Sequence, residues 1–278
     1  MNSLSRDQQE KTHPAFRPHV SGSYVDGPVI RVVDLETTGF TPETGAPCEI
    51  GWCDIAMKPD LAGGHTMGEV LDGGCWLLDP GHPIPPENSA IHHIVDEDVR
   101  AQPSWPFARA VFTEAGVPVL AFAAHNARTE RQWCGEWAGD TPWICTYRCA
   151  LRLWPDAPSH SNQALRYWRR PDGLSRKKAF FAHRAFPDAY VTAFLLRDLM
   201  IEAQAQGFGL DSLIEWSGQP ALQVRCHIGA WRGHKWAAVD DGFLQWVSER
   251  DFDEDVLFTV RHEMERRQKE WEDREAEG

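Results

Sequence analysis

The order of the apolar segments constrains the fold of this chain more than any other feature. Three apolar, β-branched runs follow one another, and two further runs then alternate with segments of helical periodicity. The predicted strands are 29–35, 49–57, 75–78, 117–123 and 143–146, and the predicted helices are 105–114, 125–137, 161–167 and 187–205. Three consecutive strands followed by alternating strands and helices predict an α/β fold with a mixed five-stranded sheet flanked by helices.

Composition and periodicity divide the chain into three segments. Residues 1–27 are polar and without a period, which predicts a flexible lead-in, and residues 28–206 hold the α/β pattern. A small C-terminal α+β unit is predicted for residues 207–278, with a hairpin-like stretch at 224–236, helices near 241–249 and 253–269, and a charged end. A chain of 278 residues that is 42% hydrophobic can build cores of this size.

Cysteine usage and hydropathy predict a cytoplasmic protein without a membrane partner. The seven cysteines are an odd number, no apolar signal segment follows the first methionine, and the longest apolar run, 117–124, is too short to cross a bilayer. Cys145 and Cys149 are one helical turn apart but lack further ligands at zinc spacing, so buried thiols are favoured over a metal site.

The distribution of charge is more informative than its total. The net charge of −13 argues against a generic nucleic-acid-binding protein. Residues 34–143 carry a net charge of −12, whereas residues 144–185 carry +7. An acidic half and a compact basic stretch therefore lie side by side in the sequence, and the basic stretch is where contact with an anion would be sought.

Two carboxylates stand where the first buried strand ends in a glycine-containing turn. Asp34 and Glu36 are two residues apart, so on a strand their side chains project from one face about 6.5–7 Å apart. This arrangement could hold one divalent cation between the carboxylates. The alternative for an isolated acidic pair of this kind is a solvated strand end.

Three later segments supply the remaining chemistry. Asn126 is a candidate helix N-cap with Glu130 one turn further on, and His183 precedes a long apolar helix that carries Asp188 in its first turn. Singly, these residues are explained as capping residues, core hydrogen-bonding residues or acids favoured at a helix N-terminus. Together, four carboxylates and a histidine are what two-metal phosphodiester hydrolysis with Mg²⁺ or Mn²⁺ needs.

The motifs around these residues are similar in order and spacing to those of a known family. The chain resembles the DEDDh family of 3′→5′ exonucleases, and within it the exodeoxyribonuclease X branch, over roughly residues 28–270. The motifs are Asp-Leu-Glu-Thr-Thr-Gly at 34–39, Ile-His-His-Ile at 91–94, His-Asn-Ala at 125–127, and His-Arg-Ala at 183–185 followed by Asp188. Two further similar stretches are 143–155 and 229–233.

The resemblance implies a ribonuclease-H-like fold and assigns roles to residues. Asp34, Glu36 and Asp188 would hold two ions, His183 would be the general base, and Thr38, Gly39 and His92 would lie near the terminal nucleotide. The family's second motif usually has an aromatic residue followed by Asp, where this chain has Thr129 and Glu130. The longer Glu130 would hold the second ion directly or through water. The full set of predicted nucleic-acid contacts is Thr37, Thr38, Gly39, His92, Asn126, Arg152, Lys177 and Lys178.

The basic stretch is predicted to follow the phosphates of a single strand that enters the site. Its residues are Arg148, Arg152, Arg166, Arg169, Arg170, Arg176, Lys177 and Lys178, and about half are expected to touch nucleic acid, the rest being ordinary exposed helix residues. In the C-terminal unit, tryptophans and basic residues interleave between 225 and 236, which suits base stacking. A core role for these tryptophans is the preferred interpretation.

The prediction from the sequence is a Mg²⁺- or Mn²⁺-dependent 3′→5′ exonuclease acting on single-stranded or frayed DNA 3′ ends. The 3′→5′ direction is implied by the resemblance alone. An RNA-trimming exonuclease of the same fold and a catalytically weak nucleic-acid-binding module remain open as alternatives, the latter because of Thr129 and Glu130.

Overall fold

One mixed sheet organises the first two thirds of the chain. In this computed structural model, which describes residues 27–59 and 64–277, the strand order is β3-β2-β1-β4-β5. β2 pairs antiparallel with both β1 and β3, whereas β4 pairs parallel with both β1 and β5. The strands are β1 Val29–Thr37, β2 Pro47–Pro59, β3 His65–Leu77, β4 Val119–Ala124 and β5 Trp143–Cys145. The predicted mixed five-stranded sheet is confirmed, and the predicted lead-in, except for Gly27, lies outside the described residues.

Ten α-helices and three short 3-10 helices lie within the described residues. The α-helices are α1 Pro86–His92, α2 Asp96–Val99, α3 Ala110–Thr113, α4 Arg128–Ala138, α5 Thr146–Leu153, α6 Asn162–Arg169, α7 Ala185–Ala205, α8 Leu210–Ser217, α9 Asp241–Ser248 and α10 Glu254–Glu277. The 3-10 helices are Trp105–Arg109, Gly229–Trp231 and Trp236–Ala238. None of the described helices is long and apolar enough to cross a membrane, and all seven cysteines are buried free thiols.

The third strand is three times as long as predicted. The sequence placed only residues 75–78 in a strand because the preceding Gly73–Gly74 pair resembles a strand break. Both glycines instead pair with β2, and a Cβ built on Gly73 would lie 1.8 Å from the carbonyl oxygen of Trp52. The register shifts nearby, so the glycines mark a bulge where the two backbones approach closely.

The two faces of the sheet bury separate cores. On one face, Ile30 and Val32 pack with the side chains of α7, which is buried along most of its 21 residues. On the other face, Val33, Ile50 and Phe122 pack with α3 and α4. The sheet is thus covered on both sides, and its edge near the end of β1 is left for the acidic residues.

The C-terminal unit is smaller than predicted. Leu213 of α8 belongs to the same core as α7, and the Ser217 hydroxyl accepts a hydrogen bond of 2.7 Å from the Cys145 amide. The separate core begins later, around Cys226, Trp236 and the buried faces of α9 and α10. Because α8 packs on β5 and α5, the α/β domain extends to about residue 218 instead of 206.

Candidate active site

The alternation of side chains along β1 carries two carboxylates toward helix α7. Ile30 and Val32 point into the core beneath α7, so Asp34 and Glu36 continue the same face beyond the end of that core. Both acidic side chains are only partly buried. The first part of β1 therefore belongs to the core, whereas its end carries the two carboxylates.

A glycine on β2 allows the N-terminus of α7 to approach these two carboxylates. Gly51 is the register partner of Asp34, and a Cβ built on it would lie 2.2 Å from the backbone of Ala185 and Phe186. Any side chain at position 51 would push the start of α7 away from the sheet. The close contact brings Asp188, in the first turn of α7, to the two carboxylates of β1.

Asp34, Glu36 and Asp188 form one cluster. Each offers a carboxylate oxygen, and these three oxygens all lie within 4.8 Å of one another. Burial, together with the charges of Asp188 and Glu36, raises the pKa of Asp34 well above its ordinary value. Burial also raises the pKa of Glu36 and of Asp188. Three carboxylates at this separation are electrostatically unfavourable without a compensating cation.

Glu130 faces the cluster from α4 but is not among the three closest residues. Its side chain is 4% exposed, its Oε2 atom has no hydrogen-bond partner among the described residues, and burial raises its pKa to about 8. Its charge contributes to the raised pKa of both Asp34 and Glu36. The predicted fourth carboxylate is therefore near the site, set back from the other three.

The donor set fits a hard divalent cation. The carboxylates of Asp34 and Glu36 accept no hydrogen bond from any residue within 27–59 or 64–277, and a buried oxygen of Glu130 is also unsatisfied. Oxygen donors of this kind suit Mg²⁺ or Mn²⁺ and not zinc, which favours nitrogen and sulfur. Within the described part of the chain, this cluster is also the one group of residues that meets the geometric requirement for a metal site.

Asp188 is oriented by two hydrogen bonds that leave its carboxylate in the cluster. The His183 amide donates to Oδ2 at 2.7 Å, and Gln163 Nε2 donates to Oδ1 at 2.5 Å. Gln163 comes from α6, and the sequence analysis did not identify it, since a lone Gln carries no local signal. The first of these bonds also fixes the turn that contains His183.

His183 lies beside the cluster with an exposed side chain. Its φ of 59° is in the left-handed region, which is uncommon for residues other than glycine and asparagine and is often found at functional sites. Its charge influences the pKa of both Asp188 and His92, so the imidazole lies near both residues. The imidazole is thus exposed to solvent beside the carboxylates.

Glu49 and Arg184 form a buried ion pair that the sequence analysis did not identify. Glu49 is the register partner of Glu36 on the neighbouring strand, and it is 1% exposed. Its carboxylate accepts hydrogen bonds from Nε and Nη2 of Arg184 and from the Ala185 amide. These bonds fix the residues directly after His183. The two partners are 135 residues apart, so only the strand register could have indicated the pair.

The turn after β1 is held by backbone and hydroxyl contacts. Thr37 Oγ1 donates to the Gly39 carbonyl at 2.7 Å, and the buried Thr38 hydroxyl accepts from the Ala46 amide at 2.9 Å. A Cβ on Gly39 would lie 2.6 Å from the Thr44 carbonyl oxygen, so this position requires glycine. Thr37, Thr38 and Gly39, three of the predicted nucleic-acid contacts, thus form a hydrogen-bonded turn next to Glu36.

The three other motif residues have different surroundings. His92 is 2% exposed, its Nδ1 accepts from the Ile94 amide, and burial lowers its pKa to about 4. His125 is bonded to the Thr146 hydroxyl and the His160 carbonyl, as expected for a core histidine. Asn126 is exposed with a φ of 67°, and the predicted N-cap is wrong because α4 begins two residues later without a side-chain cap.

Three members of the basic stretch are partly or fully buried and bonded within the protein. Arg148 forms ion pairs with Glu254 and Asp255, and Arg166 is buried and donates to the Ala179 carbonyl. Arg152 donates to the carbonyls of 148, 219 and 220, so three of its five N–H donors are used within the protein.

The other five residues of the stretch are exposed. They are Arg169, Arg170, Arg176, Lys177 and Lys178. Lys178 pairs with Asp72 at 3.0 Å, while Arg169 lies over the ring of Trp154. Lys177 is therefore the predicted contact residue with its charge directed to solvent, and Lys178 shares its charge with an acidic neighbour.

The tryptophans between residues 225 and 236 contribute to the core of the C-terminal unit, as the preferred interpretation predicted. Trp236 is 3% exposed and belongs to the core of that unit, and Trp231 packs against the same core while its ring meets His234 edge-on. The polar residues between them remain at the surface. The aromatic groups therefore hold this unit together.

Known exonucleases are similar to this chain in sequence and in structure. The chain is 29% identical over 246 residues to proteins named exodeoxyribonuclease 10 from two Escherichia coli strains, K12 and O6:H1, covering 85% of this chain and 99% of each relative. A solved structure of exonuclease X in complex with 5′-overhanging duplex DNA superposes with a TM-score of 0.51 at 28% identity, covering 68% of this chain and 99% of that chain. No family model matches the sequence.

The structural similarity extends to the fold that positions the acidic cluster. The superposition agrees with the mixed sheet, so the ribonuclease-H-like architecture expected from the motifs is confirmed. The resemblance of this chain to the DEDDh exonucleases, in the branch of exodeoxyribonuclease X, is confirmed by both its sequence and its structure.

Proposed function

We propose that this protein is a metal-dependent 3′→5′ exonuclease that removes 5′-mononucleotides from DNA 3′ ends. The observation that carries the proposal is the cluster of Asp34, Glu36 and Asp188 carboxylates within 4.8 Å, beside the exposed His183. The similarity to exodeoxyribonuclease 10 supports DNA as the substrate and the exonuclease class.

Two Mg²⁺ or Mn²⁺ ions would be held by Asp34, Glu36 and Asp188, with Glu130 as the fourth carboxylate. When bound, such ions would polarise the phosphate and stabilise the charge on the attacking and leaving oxygens. Glu130 is set back from the other three, so it would contribute directly or through a water molecule. The mutual repulsion of the four carboxylates is the physical reason for cation binding.

His183 would take the proton from the attacking water. The imidazole is exposed, its backbone is held by Asp188, and the following residues are held by Glu49. The water oxygen would then bond to phosphorus as the bond from phosphorus to the 3′ oxygen breaks. The departing 3′ oxygen would take a proton from solvent to become a hydroxyl, and the imidazole would return its proton to solvent.

The substrate would be a single-stranded or frayed DNA end. Thr37, Thr38, Gly39 and Asn126 would lie near the terminal nucleotide, with His92 supporting the wall behind it. Lys177 and Lys178 would contact phosphates further along the strand. We also propose a cytoplasmic location, which the seven reduced cysteines support.

Matched DNA and RNA strands labelled at the 5′ or the 3′ end test this function. With Mg²⁺ or Mn²⁺, the protein should shorten 5′-labelled DNA stepwise and release a labelled mononucleotide from 3′-labelled DNA. Faster shortening of RNA would replace DNA by RNA as the substrate, and internal cuts would contradict exonuclease action.

The matched variants are Asp34→Asn and Asp54→Asn. Asp54 lies on β2 and forms an ion pair with Arg31 away from the cluster, so its variant controls for the loss of one carboxylate. Asp34→Asn should lower cleavage by more than about 100-fold, a larger loss than outer-shell metal residues show. An equal loss of cleavage in both variants would contradict the assignment of the active site to the carboxylate cluster. No cleavage by the wild type with either metal would overturn the enzyme assignment and leave a binding module.

A further inference from the structure

A hairpin in the C-terminal unit presents an entirely basic set of charges. Residues 225–235, called here the basic hairpin, contain three Arg or Lys residues, two His residues and no Asp or Glu. This composition contrasts with the net charge of −13 for the whole chain. All five of these side chains are exposed: Arg225, His227, Arg232, His234 and Lys235.

The hairpin has a defined backbone. Arg225 and Lys235 form an antiparallel bridge, the Cys226 amide donates to the His234 carbonyl at 2.8 Å, and the Gly233 amide donates to the Cys226 carbonyl at 2.8 Å. Gly229 and Gly233 adopt positive φ angles, which the tight reversal requires. Because Arg225 and Lys235 are register partners, their side chains leave the hairpin from the same face.

The apolar residues of the hairpin anchor it and leave the charges in solvent. Cys226 is 1% exposed and Trp236, directly after the hairpin, is 3% exposed, both within the core of the C-terminal unit. Arg225 donates one hydrogen bond to the Gly233 carbonyl. Arg232 and Lys235 form no ion pair within the described part of the chain.

The hairpin is connected to helix α4 through the start of α10. Cys226 of the hairpin packs in the same core as Val256 of α10. Asp253, directly before α10, forms a 2.7 Å ion pair with Arg128, the first residue of α4. The basic hairpin is therefore tied to the start of the helix that supplies the fourth carboxylate, at a distance from the carboxylate cluster itself.

We propose that the basic hairpin binds the sugar-phosphate backbone of the same nucleic acid, several nucleotides from the end held at the carboxylate cluster. The proposal rests on the proposed function. A chain with a large negative net charge needs a local cationic surface to hold a polyanion. Arg232 and Lys235 form no ion pair among the described residues and stand on a backbone that its own hydrogen bonds already fix, so little backbone entropy is lost on binding.

Fluorescence anisotropy with the full-length protein tests this surface. The probes are 5′-labelled DNA strands of 4 and 20 nucleotides, with Ca²⁺ in place of Mg²⁺ and the strand length checked on a gel afterwards. The test variant is Arg232→Ala/Lys235→Ala. The control is Arg261→Ala/Lys269→Ala, which removes the same charge from exposed positions on α10 of the same unit.

The hairpin variant should bind the 20-nucleotide strand about 10-fold more weakly, and the slope of log affinity against log salt should be shallower by about 1.4. Binding of the 4-nucleotide strand should stay unchanged, as should binding of both strands by the control. Equal affinities of wild type and hairpin variant, or an equal loss in the control, would overturn the proposal. Because this readout is binding, it can fail or succeed independently of cleavage.

Discussion

Arg184 and Glu49 form a buried ion pair directly behind the carboxylate cluster. Arg184 Nε lies 2.9 Å from Glu49 Oε2, and Arg184 Nη2 lies 2.6 Å from Glu49 Oε1. Oε2 also accepts the Ala185 amide at 2.9 Å. The pair thus joins β2 to the segment between His183 and α7, and it places one cation close to Glu36 without neutralising the cluster.

Replacing Glu49 by Gln should damage both stability and turnover. The substitution leaves the buried Arg184 without its counter-charge, so the free energy of unfolding should fall by about 3 kcal/mol. The turn that carries His183 should shift, lowering kcat by about 10- to 100-fold. Denaturant unfolding and single-turnover cleavage measure the two effects.

Asp253→Asn is the control for this ion pair, because Asp253 pairs with Arg128 at the surface, where both side chains are well exposed. Asp253→Asn should lower the free energy of unfolding by less than about 1 kcal/mol. If Glu49→Gln and Asp253→Asn lower the free energy of unfolding equally, the buried pair does not hold the turn that carries His183.

The His183 substitution should separate proton transfer from metal binding. His183→Asn is preferred to an alanine variant because asparagine tolerates the left-handed backbone conformation found at this position. Turnover should fall by about 10²- to 10⁴-fold, the usual contribution of a general base. Mg²⁺ affinity measured by calorimetry should stay near that of the wild type. A loss of Mg²⁺ affinity as large as that of Asp34→Asn would instead identify His183 as a ligand.

Stability without metal should depend on pH through Glu130. Its pKa in the folded protein, about 8, is above the value of 4.5 for an unperturbed Glu, so the folded state retains a proton that the unfolded chain releases. The free energy of unfolding should therefore fall as pH rises from about 4.5 to 8, by an amount on the order of 4–5 kcal/mol. Unfolding in EDTA at several pH values measures this slope.

Glu130→Gln should make the pH dependence shallower, because the amide keeps the shape of the side chain but does not titrate, while Asp34, Glu36 and Asp188 still do. Mg²⁺ should flatten it in the wild type, since the cation favours the charged form. A metal-free wild type whose stability rises across this pH range would contradict the assignment of a buried, proton-binding Glu130.

Arg148 should hold the C-terminal unit in place instead of contacting nucleic acid. Its guanidinium binds the 5%-exposed carboxylate of Asp255 and the more exposed Glu254. Arg148→Gln leaves Asp255 without its cation, so proteolysis in the connection at 218–222 should accelerate by at least about 10-fold. The salt dependence of DNA binding should keep its wild-type slope. A shallower slope with unchanged proteolysis would restore Arg148 to the predicted phosphate contacts.

Local sequence was sufficient to predict the elements of the fold. The apolar, β-branched run at 29–35 indicated a buried strand that ends at Asp34 and Glu36. The apolar pattern of α7 indicated a long buried helix with Asp188 near its start. These features depend on residues a few positions apart, so the periodicity of the chain reports them directly. The motif spacing then indicated which carboxylates belong together.

Only the tertiary structure decided which side chains are available for function. Gly51 allows the backbone at the start of α7 to contact the sheet, and Glu49 forms an ion pair with Arg184, 135 residues away. Arg148 and Arg152 form bonds within the protein. A basic residue in a sequence carries a charge, but whether the charge meets solvent or an acidic partner depends on packing. The connection of the basic hairpin to α4 likewise depends on contacts between distant segments. Residue type and spacing therefore determined the chemistry at the cluster, and long-range packing determined which surfaces can serve it.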